Sequence, residues 1–178
     1  MGVASGEAQV AQWLQAQLYT LLGRAELPAV AAAFAAWRAG DAGSAAAVND
    51  WVRCTRESAE FLLQAEQMGR SLVEWLRNGP HAADPRVAEL AALQRAPTWP
   101  VAFALAAALT AADSRAALQA FAFGWAENMA QAACKAVPLG QAASQRVLEQ
   151  LVQAIPRVVD AALGTPFGQA QAFAPMLA

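Results

Sequence analysis

Three observations place this 178-residue chain in the all-α class. Apolar residues recur at i, i+3 and i+4 along every long segment, the spacing that lines one face of a helix. Alanine, the best helix former, makes up roughly a quarter of the residues. No stretch alternates with the period of two that marks a half-buried strand. The expected architecture is a compact single-domain bundle of about seven to eight helices over residues 1–178, a length that supports one sizeable core. Within it, 164–178 form a partly irregular tail rich in Gly, Pro, Gln and Ala.

Each element has a local cause. Val10, Trp13, Leu14, Leu18, Leu21 and Leu22 predict a first helix over about 6–23. Pro28 can open a second, with Val30, Phe34 and Trp37 turned inward and Gly40 ending it. A long third helix over about 44–77 begins at Ser44 and stops before Gly79-Pro80. Asp84 followed by Pro85 is an N-cap and first-turn pair for a short helix to about Gln94. Pro97 and Pro100 bracket a turn, and 101–112 then reads as a buried helix. Asp113 or Ser114 caps a central helix running to about Ala136, which Pro138-Leu-Gly breaks. A further helix follows over Leu139–Ala154, and Pro156 restarts one to about Leu163.

Composition narrows the function. The chain is 57% hydrophobic and only 15% charged, more apolar than ordinary soluble proteins, which suggests an exterior partly covered by a partner. The longest strongly apolar uncharged run, Val101 to Ala112, is shorter than the ~20 residues a bilayer span requires, so no membrane segment is expected. Met1–Gln15 lacks the charged-then-apolar pattern of a leader, and the expected compartment is the cytoplasm. A net charge of −2, a single lysine and scattered arginines argue against nucleic acid. Cys54 and Cys134 are expected to be reduced, buried small residues rather than a disulfide or metal pair. His81 is the only histidine and has no ligand cluster around it, so neither a metal, a cofactor nor a histidine-dependent nucleophile is expected.

The informative stretch is Trp125 to Gln141. It sets Glu127, Asn128, Gln131 and Lys135 within a stripe of roughly 100° on one helix, in an otherwise apolar segment. Leu118, Phe121, Trp125, Met129 and Ala132 form the predicted core face opposite. Buried polar groups left unpaired cost about 1–3 kcal/mol each, so the stripe needs partners. Gln131 can bridge Glu127 and Lys135, which lie two turns apart, in an internal network that only fixes packing. Alternatively the stripe faces another protein or lines a passage.

Two segments carry a family resemblance. Glu127-Asn-Met-Ala-Gln-Ala-Ala-Cys-Lys135 followed by Pro138-Leu-Gly-Gln-Ala-Ala-Ser-Gln145 resembles the signature of the urease accessory protein UreF family. Arg56-Glu-Ser-Ala-Glu60 with Gln67-Met-Gly69 is similar to that family's Arg-Glu-Thr-x-Glu…Met-Gly segment. Trp13-Leu14, Leu27-Pro28 and the tail Ala172-Phe-Ala-Pro-Met-Leu-Ala178 fit in the same order. The resemblance implies an all-helical protein without catalysis of its own. It would bridge UreD (also called UreH) and the nickel-carrying GTPase UreG in delivery of nickel to apo-urease, as a homodimer.

By the same resemblance, Glu127, Asn128, Gln131, Lys135, Pro138, Gly140, Gln141 and Gln145 are partner-binding or passage-lining, with Arg56, Glu57 and Glu60 as a second group. Phe167 and Phe173 are candidates for dimer or tail contacts. The chain departs from the family where Leu62, Gln64 and Glu66 replace more common charged residues. The family's usual Gly-Gly-containing first segment and His-containing last segment are not matched, so both ends are expected to be truncated. The rival expectation is a helical ligand-binding or protein-interaction domain that kept the fold without the urease role; an enzyme ranks third.

Overall fold

The computed structural model of the protein describes residues 3–137 and 139–171, with side chains from Gly6 onward. Among these residues there are eight α-helices and no strand. They are α1 (Val3–Gln17), α2 (Leu27–Ala39), α3 (Ala42–Cys54), α4 (Ala59–Arg77), α5 (Pro85–Ala91), α6 (Trp99–Ala108), α7 (Ser114–Ala136) and α8 (Gln141–Leu163). A short 3₁₀ turn, Phe167–Gln169, lies in the tail. The all-α expectation holds; two predicted breaks are absent and one unpredicted break is present.

The first concerns α1 and α2, which are not separate. A π-helical segment, Leu18–Glu26, joins them into one rod, with the Leu27 amide donating to the Leu22 carbonyl five residues back. Proline inside an α-helix lacks a donor and strikes the carbonyl four residues earlier. The wider π turn just before Pro28 moves that carbonyl aside, so the rod continues where the sequence suggests a restart. The second is the predicted helix over 44–77, which is two helices. Thr55 Oγ1 donates to the Trp51 and Val52 carbonyls and closes α3. Ser58 is extended (φ −147°, ψ 162°) and its hydroxyl caps α4 at the Phe61 amide. The third is Pro156, which sits inside an unbroken α8. It lies on the exposed face, where water can take the freed carbonyl.

The core places α6 in the centre, between α2 and α4, with α7 and α8 forming a helical hairpin against α2 and the π segment. Trp37 is fully buried and its indole N–H donates to the Val101 carbonyl at 3.2 Å. Trp99, Phe103 and Phe121 stack from α6 onto α7 with centroids 5.1–6.4 Å apart. Asn49, 1% exposed, is the main polar fastening. Its Oδ1 accepts from the Thr98 amide (2.8 Å) and hydroxyl (2.9 Å), and its Nδ2 donates to the Ala96 carbonyl (3.2 Å). Directly alongside, a Cβ on Gly69 would lie 2.1 Å from the Pro97 carbonyl oxygen, so only glycine allows α4 this close.

The predicted core face of α7 is partly rotated. Leu118 and Phe121 are buried, Trp125 and Met129 are half-buried, and Ala132 is exposed. The buried row is instead Ala122, Ala126 and Ala130, a ridge at four-residue spacing. Such ridges run at an angle to the helix axis, so the seam with α8 drifts around α7 toward its C-terminus. Cys54, expected to be buried, is exposed because it falls on the face of α3 opposite Val48 and Val52; Cys134 is half-buried, and both are free thiols. No helix among the described residues is long and apolar enough to cross a membrane.

Two outcomes follow from these fastenings. Asn49→Ala orphans the buried Thr98 donors and should cost about 2–4 kcal/mol in urea unfolding. Asp84 pairs with Arg86 (2.7 Å), whose hydrogen bond holds that carboxyl at about 2, below its ordinary 3.8. A depressed folded-state value stabilises above the unfolded one, so this contribution is present above about pH 4 and disappears toward pH 2. Asp84→Asn, which keeps the cap, should flatten the acid limb of a stability–pH curve over that window.

Candidate functional site

Asp113 starts α7 by accepting from the Ala116 amide at 2.7 Å, and the Ala122–Ala126–Ala130 ridge fixes its rotation against α8. That rotation decides the polar stripe. Glu127, Asn128, Gln131 and Lys135 are all exposed, on the side of α7 away from the ridge. None of their side chains makes a hydrogen bond or ion pair with another described residue. The internal network through Gln131 is therefore not formed, and the stripe is a free polar surface.

The turn after α7 is held from within. Leu139 is buried, its carbonyl accepts from the Cys134 thiol at 3.1 Å, and Ser144 Oγ donates to the Ala130 carbonyl at 3.3 Å. Gly140 is the N-cap of α8 with ordinary dihedrals, and a Cβ there would meet nothing within 4 Å. Gly140, Gln141 and Gln145, at the start of α8, are exposed as well. Beside them Arg146 makes a two-pronged ion pair to Glu7 of α1 (2.9 and 2.7 Å), and this pairing holds the Glu7 carboxyl below its usual range. Pro138 lies outside the described residues.

The second group is elsewhere. Arg56, expected inside a long helix, lies in the α3–α4 connection and pairs with Glu26 at the end of the π segment. Glu57 and Glu60 are exposed, and the Ser58 hydroxyl's hydrogen bond draws the Glu60 carboxyl below its ordinary range. Gly23, in the same π segment, abuts Val158 of α8, fifteen residues beyond Ala143. At 1.5 Å per residue the two groups sit about 20 Å apart along α8. The structure does not gather the candidate residues into one site.

Phe167 packs its ring against Trp51 at 5.2 Å, a contact within the chain, and Phe173 lies outside the described residues. Two features were not read from the sequence: the Glu26 partner of Arg56, and a cleft of about 140 Å³ beside that pair, walled by Trp51, Val52 and Phe61. Neither has a local signal, because both depend on the π segment meeting the α3–α4 break. Trp13, Phe61 and Trp75 are more than half exposed. Among the described residues, no group of three His, Cys, Asp or Glu is placed to hold a metal.

The two groups should behave differently on truncation. Lys135→Ala removes an unpartnered exposed side chain and should change stability by less than about 0.5 kcal/mol. Arg56→Ala strands the half-buried Glu26 carboxylate and should cost about 1–3 kcal/mol. Thermal and urea unfolding of both variants checks the contrast.

Comparison with known proteins agrees with the resemblance that the motifs carry. The UreF family model matches residues 4–152. The urease accessory protein UreF of Methylibium petroleiphilum is 58% identical over 99% of this chain and 75% of its own length. That of Paracidovorax citrulli is 56% identical over 98% of this chain and 70% of its own. A bifunctional urease accessory protein UreEF of Bordetella bronchiseptica is 41% identical over 89% of this chain, which matches 36% of that longer protein. With the family model covering most of the chain and such identity along nearly all of it, this chain belongs to the UreF family of urease accessory proteins.

Proposed function

We propose that this chain is a non-catalytic scaffold that bridges a UreD/UreH-type protein and a UreG-type GTPase while nickel is delivered to apo-urease, and that it modulates GTP hydrolysis. The observation that carries this reading is the polar stripe of Glu127, Asn128, Gln131 and Lys135, which is exposed and has no partner among the described residues. Polar side chains set on a rigid helix with no structural duty are available for a second protein. The stripe mixes an anion, two amides and a cation, a surface that gives register and specificity more than bulk affinity. Gly140, Gln141 and Gln145 are exposed too, and with Pro138 they belong to the same motif and to the proposed contact set.

The family assignment supports the reading, and so does the UreEF relative. A sequence like this one lies in the same polypeptide as another accessory activity there, which raises the effective concentration of one for the other. Arg56, Glu57 and Glu60 form a second contact region about 20 Å away, as a bridge between two proteins needs. A homodimer within the assembly and a cytoplasmic location belong to the same proposal.

Size-exclusion chromatography with light scattering tests it, using this chain mixed with UreD and then UreG, beside the UreF of Methylibium petroleiphilum as control. Co-elution with UreD and recruitment of UreG are expected, with the mass reporting the dimer. Lys135→Ala should weaken partner binding about tenfold, or 1.4 kcal/mol, at unchanged stability. Absence of a complex when the control binds, persisting after the control's flanking segments are grafted onto this chain, would overturn the scaffold reading.

A further inference from the structure

The cleft where the π segment meets the α3–α4 connection combines apolar walls with an unpaired carboxylate. Leu21 and Ala25 of the π segment line it together with Trp51 and Val52 of α3 and Phe61 of α4. Its volume of about 140 Å³ is close to that of engineered apolar cavities of about 150 Å³ that take up benzene, so one phenyl ring fits. Two of the walls are themselves aromatic. Phe61 is 55% exposed, an apolar surface that a docked ring would cover. Ala25 is half-buried in the wall, at a position where a longer side chain would take up the space.

The charge at the cleft decides which ring it favours. Of the charged residues in its lining, Glu26 and Arg56 neutralise each other in their ion pair. Glu57 is left over: it is exposed, and its carboxylate has no partner among the described residues. Glu60, three residues on in the first turn of α4, is exposed too and adds to the negative field. An anionic ring is repelled here, and a neutral one leaves Glu57 unused. A ring with a cation beside it gains burial and charge attraction together, and the faces of Trp51 and Phe61 also attract cations. We propose that the cleft is the anchor pocket for a phenyl side chain flanked by a lysine or arginine, presented by a protein that docks on Arg56, Glu57 and Glu60. The inference rests on the scaffold reading, in which these residues form the second contact region, and it names what that region recognises. Aromatic anchors in preformed pockets supply most of an interface's energy, while charges at the rim select the partner.

The test is an NMR titration of the isotopically labelled full chain with the dipeptide N-acetyl-Phe-Lys-amide, beside its Phe-Gln and Phe-Glu counterparts. Saturable shifts at Ala25, Val52 and Phe61 are expected, with a Kd of about 1 mM for the lysine form. The glutamine form should bind about threefold more weakly and the glutamate form more weakly still. Glu57→Gln should remove that order of preference, and Ala25→Leu, which fills the slot, should abolish binding of all three. Equal affinity for the three dipeptides, binding that survives Ala25→Leu, or no shifts at the cleft would each overturn the proposal. The titration uses this chain alone, so dipeptide binding supports the pocket even where no UreD or UreG complex forms. A UreD or UreG complex unaffected by both Ala25→Leu and Glu57→Gln would overturn the pocket while leaving the scaffold reading intact.

Discussion

The buried side chain of Asn49 is the fastening on which the arrangement of helices depends. Its amide group makes three hydrogen bonds to Ala96 and Thr98, which removes the freedom of the loop before α6. The same loop is pressed against α4 at Gly69, where no side chain other than hydrogen fits. One polar cluster and one glycine thus bring α3, α4 and the start of α6 together. Thr98 spends its hydroxyl on Asn49 rather than on capping its own helix, so α6 is anchored by a distant residue. Trp37 then fixes α6 to α2 through Val101, and the Trp99–Phe103–Phe121 stack passes that position on to α7. The orientation of the polar stripe on α7 is the end of this chain of contacts.

Small residues do the rest of the packing. The alanine ridge of α7 and the Gly23–Val158 approach allow helices to lie close together, and dispersion between many atoms in contact replaces large interdigitating side chains. A surface poor in charge makes the fate of each charged residue informative. Most arginines are committed within the chain: Arg53 to Glu66, Arg56 to Glu26, Arg86 to Asp84, Arg115 to Asp160 and Arg146 to Glu7. Arg38 is held by the carbonyls of Thr110 and Ala112. Glu127 and Lys135 stand outside that pattern. Where many charges are tied within the fold, these polar groups stand exposed on α7 without partners among the described residues, and that availability is what supports the proposed role in recognition.

The candidate residues were legible to different degrees, for physical reasons. The stripe on α7 follows from helical spacing alone, and its residues are indeed on one face. Whether that face was buried could not be read there, because an alanine counts as core or surface with equal ease; the ridge angle against α8 settles it. Arg56, Glu57 and Glu60 were legible as a motif but not as a place. The break at Thr55–Ser58 depends on side-chain hydroxyls bonding backbone groups, which compete only weakly with helix continuation in a sequence otherwise well suited to it. Pro28 and Pro156 misled in the opposite direction. One is absorbed by a π segment and the other faces water, and both remedies need neighbours that sequence spacing does not reveal.

By itself, the sequence determined the class of structure, the presence and order of most helices, and the family. Those properties rest on local periodicity, caps such as Asp84 and Asp113, and motif residues at set spacing. Only the tertiary structure decided which way the α7 stripe faces, that Arg56 meets Glu26, and that a cleft opens beside them. Each of these is a relation between segments far apart in the chain. It is set by how closely backbones approach at Gly69 and Gly23 and by where Asn49 bonds, and no local pattern encodes such distances.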